Sequence, residues 1–430
     1  MKSDCCTDRA SVQGRRSRSP LFALVLFVCL LGLSACHPVS TQLKLGTLLP
    51  ITGDLSAYGS SMQDTARFLV STVNGCGGVL GQPVDLVAED DQTEPAAGAS
   101  AMTKLAEVDR VAGVVGAASS GTASAEVDIA VRNQVILISP SSTSPVFSER
   151  SRRGEFQGFW FRTAPPDTFQ SKALAQLAKT RGVRSVAVLA INNDYGNGIL
   201  SAFIPAFEAI GGTVVNKANP TRYPPDSSTF DSIVSAGFRD NPDAVLLIAY
   251  PETGSLILKA AYQQGLLAKA LLLATDGMKE AGIADLVGKT AQGQYLAAGM
   301  VGTAPSAGGP ALKQFQERYA AQFRRTPKIF DPNTWDAAAL IVLAAEAAKS
   351  TSATAIKDLM RDVANPPGES VTDVCQGLSL LRAGRSINYE GASGSVDLND
   401  VGDVTGRYDV WTIAPDGSLK VIDAIAVTEK

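Results

Sequence analysis

The sequence predicts an α/β protein built from two parallel-sheet units that follow one another along the chain. Short apolar runs alternate with amphipathic stretches from residue 43 onward, and this is the pattern of strands and helices in a doubly wound sheet. The pattern starts again near residue 185. The chain also has 430 residues, which is long for one ordinary domain.

The first unit begins with an apolar run and continues through four predicted strands and three predicted helices. The helix near its start has apolar residues at helical spacing from Met62 to Val73, and Gly75 follows where a helix commonly ends. The predicted strands are 43–50, 84–90, 111–117 and 135–140, and the predicted helices are 61–75, 95–108 and 122–133.

The second unit repeats the alternation. Its predicted strands are 185–192, 213–219, 244–250, 271–276 and 295–300, and its predicted helices lie near 168–181, 197–210, 227–238 and 253–265. Proline, serine and aspartate in segment 219–230 predict an exposed loop. Two more helices are expected near 310–325 and 333–349, before a mixed C-terminal segment.

The N-terminal segment is typical of an export signal. Residues 1–19 are basic and polar, and the apolar run 21–33 is short for a membrane span. The following "LSAC", which ends at Cys36, resembles the lipobox of bacterial lipoproteins. This resemblance implies a signal peptide over 1–35, a lipid on Cys36 and a tether over 36–42. An ordinary signal peptide is the alternative.

Charge, histidine and cysteine narrow the possible functions. The first 35 residues carry five basic and two acidic side chains, so the rest of the chain has a net charge of −7 and no basic footprint for nucleic acid. The single histidine, His37, lies in the tether, which excludes catalysis by histidine in the folded part. Beyond Cys36, only Cys76 and Cys375 remain, and they form either one disulfide or two unpaired core residues.

The residues that end the strands carry the functional information, because ligands bind beyond the carboxyl ends of parallel strands. One of these segments, "GAASSGTAS" (116–124), has the glycine spacing of a phosphate-binding loop but lacks its lysine. It follows the apolar run "RVAGVVG" and opens a predicted helix. A helix N-terminus favours an anion without any lysine, so this loop suits an anion other than a nucleotide.

Several segments in order resemble the branched-chain amino-acid-binding proteins, the type I periplasmic receptors of ATP-binding-cassette importers. The resemblance runs from about residue 43 to about residue 419 and rests on "GTLLPITGDLSAYG", "GAASSGTASAEVDI", "ILISPSSTSP", "NNDYGNG", "NPDAVLLIAYPE", "ATDG", "WDAAALIVLAAEA" and "GDVTGRYDVW". It implies two lobes joined by three hinge crossings. Lobe one is expected over 41–163 plus 300–397, and lobe two over 164–299 plus 398–430. Both Cys76 and Cys375 then fall in lobe one, which favours the disulfide.

The same resemblance implies a site for an amino-acid zwitterion. Ser120 and Thr143 match donors to the α-carboxylate, while the carbonyl of Ser141 and the carboxylate of Asp276 match acceptors for the α-ammonium. The family more often has glutamate at the position of Asp276. Tyr195 matches an aromatic cover from lobe two. The remaining predicted ligand-binding residues are Ser142 in the same loop and the walls Tyr58, Tyr250 and Phe330.

The residue types agree with this site, because a zwitterion requires donors for two oxygens and acceptors for an ammonium. Taken singly, the same residues have simpler roles. Serine and threonine after strands often cap helices, and an aspartate before glycine is common in turns.

The expected function is therefore capture of a small, neutral or branched-chain amino acid for an ATP-binding-cassette importer. The expected partners are a membrane permease and its ATPase, and the expected state is a lipid-anchored monomer at the cell envelope, without cofactor or metal. Segment 397–408 fails as a calcium loop, because its twelfth position is Tyr408. The alternatives are a sensing lipoprotein, a binder of amides, urea or aromatic acids, and a serine hydrolase that uses Lys279 as its base.

Overall fold

The computed structural model describes residues 42–427. The expected signal peptide, the lipidation site Cys36 and nearly all of the tether lie outside the described residues. The described part contains a five-stranded sheet, an eight-stranded sheet and a small two-stranded sheet. Two separate large sheets, each with helices on its faces, confirm the predicted α/β class.

The first sheet is entirely parallel, with strand order β2-β1-β3-β4-β5. Its central strands β3 and β4 are buried at every position, which explains why they read as continuous apolar runs in the sequence. The strands are β1 (Lys44–Leu49), β2 (Asp85–Asp90), β3 (Gly113–Gly116), β4 (Ile136–Ser139) and β5 (Trp160–Arg162). Its helices are α1 (Ser56–Gly75), α2 (Pro95–Thr103), α3 (Ser120–Arg132) and α4 (Pro145–Arg152).

The second sheet has the order β15-β14-β11-β10-β9-β6-β7, with β8 also paired to β6. Its strand pairs are parallel except at one edge, where β11 with β14 and β14 with β15 form antiparallel pairs. The strands are β6 (Ser185–Ile191), β7 (Thr213–Val214), β8 (Thr221–Tyr223), β9 (Ala244–Ile248), β10 (Leu271–Ala274), β11 (Val301–Pro305), β14 (Arg407–Ile413) and β15 (Leu419–Ala426). The helices are α5 (Asp167–Thr180), α6 (Asp194–Ala209), α7 (Asp231–Gly237), α8 (Pro251–Gln263) and α9 (Ile283–Val287).

After β11 the chain returns to the first sheet. The helix α11 (Asp331–Ala348) is buried along almost its whole length and contributes to the same hydrophobic core as β1, β3 and β4. This segment contains α10 (Leu312–Phe323), α11 (Asp331–Ala348), α12 (Ala353–Ala364), β12 (Glu369–Val371), α13 (Val374–Arg382) and β13 (Ile387–Tyr389).

Two local predictions in the second unit are wrong, and a third is only partly right. Segment 295–300 is not a strand, and the strand begins after it at Val301. The predicted strand 213–219 contains only two strand residues. Segment 219–230 is mostly exposed, as predicted, but it also contains β8, whose Tyr223 is completely buried because this short segment extends the sheet beside β6.

The lobe boundaries also differ locally from the expected ones. Residues 301–305, which were expected in lobe one, pair within the second sheet. Leu398 and Val404, which were expected in lobe two, pack in the core of the first sheet. In the description that follows, lobe one is 42–163 plus 306–404, and lobe two is 164–305 plus 405–427. The chain changes lobe near residues 164, 306 and 405.

The predicted disulfide is present. Cys76 and Cys375 are bonded, and their Cα atoms are 5.8 Å apart. Cys76 directly follows α1 and Cys375 lies in α13, so the bond joins two helices of lobe one. Within residues 42–427, no single helix is long and apolar enough to cross a membrane, and only α11 and α12 together, bent by 107°, pass on length and composition.

Candidate functional site

A small cavity lies between the two lobes, at the carboxyl ends of the strands. Its volume is about 20 Å³, and seven of the nine predicted ligand-binding residues line it. Ser142 and Thr143 do not. The lining residues are Leu55, Tyr58, Met62, Ala118, Ser120, Ser141, Tyr195, Tyr250, Asp276, Gly277 and Phe330.

Lobe one presents the N-terminus of α3 to this cavity. Ser119 is the capping residue, and its hydroxyl accepts a hydrogen bond from the Gly121 amide at 3.2 Å. Ser120 is therefore the first residue of a 13-residue helix. Its hydroxyl oxygen accepts from the Ser144 amide at 3.2 Å, which leaves the hydroxyl proton available. A helix N-terminus with a free hydroxyl proton is suited to an anion.

The serine-rich loop after β4 is fixed to the loop after β3. The hydroxyls of Ser141 and Ser142 donate to the carbonyls of Ala118 (3.1 Å) and Ala117 (3.0 Å). The hydroxyl and amide of Ser142 are thus used within the protein, since the amide donates to the Ser139 hydroxyl at 2.8 Å. Ser142 supports the loop and does not line the small cavity, and its predicted contact with a ligand stays a prediction.

Thr143 lies one layer behind the cavity. Its side chain is fully buried, and its hydroxyl is a hydrogen-bonding neighbour of the Asp167 carboxylate. The Thr143 carbonyl accepts from the amide of Asp167 at 2.8 Å, so Thr143 lies beside the first residue of α5.

Lobe two contributes Asp276, which follows β10. The residue is 3% exposed. Its Oδ1 and the Oγ1 of Thr275 both lie 2.7 Å from the hydroxyl of Tyr195, and the Gly277 amide donates to that hydroxyl at 3.2 Å. Burial raises the pKa of Asp276 above its ordinary value.

A second buried carboxylate, Asp167, lies near Asp276 and was not identified from the sequence. It is the first residue of α5 and is fully buried, and the Thr143 hydroxyl is a hydrogen-bonding neighbour of its carboxylate. Burial, and then the charge of Asp276, raise the pKa of Asp167 well above its ordinary value. Two buried carboxylates with unused acceptor capacity are suited to a cationic group.

Four aromatic rings form most of the remaining wall. Tyr195 and Tyr250 are stacked with ring centroids 5.5 Å apart, and Tyr58 meets Phe330 edge to face at 6.2 Å. Two of these rings also connect the lobes. The Tyr58 hydroxyl donates to the Gly277 carbonyl at 3.2 Å, and the hydroxyls of Tyr250 and Ser119 are 3.2 Å apart.

These connections make the described conformation a closed one. A volume of about 20 Å³ is roughly that needed for one water molecule. A ligand of amino-acid size therefore enters and leaves only when the lobes move apart.

The mouth of the cleft is acidic. A larger cavity of about 410 Å³ adjoins the small one and shares Tyr250 with it, and four of its lining residues are Asp54, Glu94, Asp226 and Glu252. Among residues 42–427, no lysine or arginine lines either cavity. Burial raises the pKa of Asp54 to about 6. This negative rim opposes the entry of purely anionic ligands.

The serine hydrolase alternative receives no support from the geometry. Lys279, its only candidate base, forms an ion pair with Asp409 at 2.7 Å. Its ammonium is therefore held by the Asp409 carboxylate, which also accepts from the Ser306 hydroxyl, and the hydrogen bonds of the described residues include none between Lys279 and a serine.

Two lobes with a cleft between them, and a closable cavity lined by a helix N-terminus and by a buried acid, define a binding protein for small ligands. The chain belongs to the family described as the receptor family ligand-binding region, which matches residues 61–416. The resemblance to type I periplasmic binding proteins is confirmed.

Curated relatives and solved structures agree with this family. The substrate-binding protein BasB of a chemotactic signal transduction system in Halobacterium salinarum is 25% identical over 361 residues, which are 82% of this chain and 83% of BasB. Leu/Ile/Val-binding protein homolog 3 of Brucella melitensis is 27% identical over 274 residues, 64% of this chain and 71% of the relative. The crystal structure of the leucine-binding protein LivK from Thermotoga maritima has a TM-score of 0.74 and 25% identity, and covers 89% of this chain and 99% of that one.

Proposed function

We propose that this protein captures a small amino acid between its lobes, outside the cytoplasm, and delivers it to an ATP-binding-cassette permease. One observation carries the proposal: Ser120, at the N-terminus of α3, and the buried Asp276 line the same cavity. An amino-acid zwitterion carries a carboxylate and an ammonium on the same carbon atom. Its burial is favourable only where the site matches both charges.

The proposed binding mode assigns each ligand group to a part of the site. The α-carboxylate accepts from the Ser120 hydroxyl and the helix amides. The α-ammonium donates to the Ser141 carbonyl and to Asp276, and Asp167 adds a second buried carboxyl group behind Asp276. The side chain of the ligand packs against Tyr58 and against the apolar wall formed by Leu55, Met62 and Phe330.

This arrangement favours a neutral side chain. The inner wall is apolar or aromatic, and the only carboxylate that lines the small cavity is Asp276, which is already matched by the α-ammonium. Amides, urea and aromatic acids are the competing ligand classes. A plain aromatic acid has no ammonium for Asp276 and must pass an acidic rim, so it fits less well.

A thermal-shift screen of refolded, ligand-free protein tests this proposal. The twenty amino acids are compared with amides, urea and benzoates, and each responding amino acid is compared with its N-acetyl and methyl-ester derivatives. A ligand at one hundred times its Kd adds about 2.7 kcal/mol to the free energy of unfolding. We expect a neutral amino acid to respond and both derivatives to fail. A response confined to amides, or to acids without an amine, contradicts the proposal.

Signalling is the second candidate role, because BasB, which is similar over most of its length, is the substrate-binding protein of a chemotactic system. Both roles use the same site. Deletion of the gene should abolish uptake of the radiolabelled amino acid if the protein serves an importer. Normal uptake with a lost chemotactic response would identify a sensor.

A further inference from the structure

A completely buried ion pair lies directly behind the serine-rich loop of the site. The Nε of Arg162 is 2.7 Å from Oδ1 of Asp403, and the two side chains are 0% and 4% exposed. Ser148 closes a ring, because its hydroxyl donates to Oδ2 of Asp403 at 2.6 Å and accepts from Nη2 of Arg162 at 2.7 Å. Nothing in the proposed binding mode requires this ring.

The remaining bonds of Arg162 go to the loop that forms the site. Its Nη1 donates to the carbonyls of Ser142 (3.1 Å) and Ser144 (2.9 Å). These two residues flank Thr143, and Ser142 directly follows Ser141, which lines the cavity. The guanidinium therefore fixes the peptide orientations of the segment 141–144 from behind.

Arg162 and Asp403 lie next to two of the three points at which the chain passes from one lobe to the other. Arg162 is the last residue of β5, directly before the first crossing, and Asp403 lies directly before the third. The two backbones are also joined, since the Arg162 amide donates to the Gly402 carbonyl at 3.0 Å. Gly402 has φ +82°, and a Cβ there would lie 2.5 Å from the carbonyl oxygen of Trp160. This close contact between the two backbone segments therefore requires glycine.

Stability alone does not account for such a pair. Withdrawing two charges from water costs several kcal/mol per ion, and replacing buried ion pairs by apolar residues of similar volume is often neutral or stabilising. What an apolar pair does not supply is the set of donors to the Ser142 and Ser144 carbonyls.

We propose that Arg162 and Asp403 are a positioning pair, which holds loop 141–144 in its ligand-binding geometry and fastens it to the two adjoining crossings. This inference rests on the proposed function, because it assumes that Ser141 and its neighbours contact the ligand. Arg162 acts through the loop and does not itself line the cavity.

The test compares affinity with stability in the double variant Arg162→Met/Asp403→Leu, with L-leucine as the probe in titration calorimetry and surface binding kinetics. The apolar pair removes both charges together, but the Ser142 and Ser144 carbonyls lose their donors, so we expect a folded variant with a lower urea midpoint. We expect the Kd to rise roughly 10- to 100-fold, mainly through faster dissociation. The control is Arg153→Met, which removes an exposed ion pair with Glu155 and should leave the Kd unchanged. A folded double variant with wild-type affinity overturns the proposal.

Ser148→Ala supplies a milder second variant in case the double variant does not fold. It opens the ring without removing either charge. We expect amide hydrogen exchange to become faster in segment 139–145 of the ligand-free protein and to stay unchanged in α8 of lobe two. Unchanged exchange in segment 139–145 contradicts the positioning role. This measurement needs no ligand, so a wild-type protein that binds no amino acid would disprove the proposed function and still leave the positioning pair testable.

Discussion

Replacement of Asp276 by asparagine separates an amino-acid site from other small-ligand sites. Asparagine keeps the side-chain oxygen that lies 2.7 Å from the Tyr195 hydroxyl and removes only the charge. Loss of one partner of a buried, hydrogen-bonded charge pair typically costs about 2–5 kcal/mol, which is roughly a 30- to 3,000-fold loss of affinity. Because Asp167 remains as a second buried carboxylate, we expect the lower part of this range, about 30- to 300-fold.

Titration calorimetry on wild type and Asp276→Asn, each with a free amino acid and its N-acetyl derivative, forms a double cycle. The derivative lacks the positive charge, so it should bind the wild type poorly and lose little more in the variant. Asp226→Asn is the matched control, because Asp226 is an exposed acid at the cleft mouth. If Asp276→Asn binds the free amino acid within about threefold of wild type, the ammonium is not held at Asp276.

Four further predictions follow from the structure and the sequence. Cys76→Ser/Cys375→Ser should lower the free energy of unfolding, because the bond closes a loop with a sequence separation of 299 residues, for which the chain-entropy model gives at most about 5–6 kcal/mol; an unchanged urea midpoint would contradict this. Burial raises the pKa of Asp91 to about 7 and that of Glu126 well above its ordinary value, so the folded chain holds protons that the unfolded chain has lost, and its stability falls as the pH rises toward 7. Glu126→Gln should therefore raise the melting temperature at pH 8 and change it little at pH 4, as thermal denaturation at the two pH values would show. Ligand should favour the closed over the open state and so reduce the radius of gyration in small-angle scattering, because Ser120 of lobe one and Tyr195 and Asp276 of lobe two line the same cavity; an unchanged radius at saturation would indicate a rigid cleft. Radiolabelled palmitate should mark the wild type and not Cys36→Ala, and equal labelling of both would exclude the lipid anchor.

The fold was predictable because its strands are short, apolar and parallel. A buried parallel strand has no polar face, so β3, β4 and β9 stand out as continuous apolar runs. The predictions failed where tertiary pairing decided the structure. Segment 221–223 becomes β8 only because an unpaired length of β6 is available beside it, and no local pattern in "TRY" indicates that.

The acidic residues 89–91 of lobe one also show that the local sequence does not determine which side chains are buried. "EDD" (89–91) looks like a solvated run, and Glu89 does form a partly exposed ion pair with Lys104. Asp91, two residues later, is completely buried; it lies between β2 and α2, where its Oδ1 accepts from the Thr93 amide at 2.7 Å. Neighbouring acids in one sequence run thus have opposite environments, and only the path of the backbone distinguishes them.

The site divides in a similar way into residues that face the cavity and residues that hold them there. Ser120, Tyr195 and Asp276 end strands or begin helices at the cleft, so the sheet topology alone brings them together. Asp167 and Arg162 carry no such signal: "PPD" is typical of an ordinary helix start, and an arginine at a strand end is usually exposed. Their burial depends on crossings between the lobes that are more than two hundred residues apart in the chain, as for Arg162 and Asp403 with a separation of 241. Sequence reasoning can therefore reach the residues that touch a ligand before it can reach the buried charges that fix their geometry.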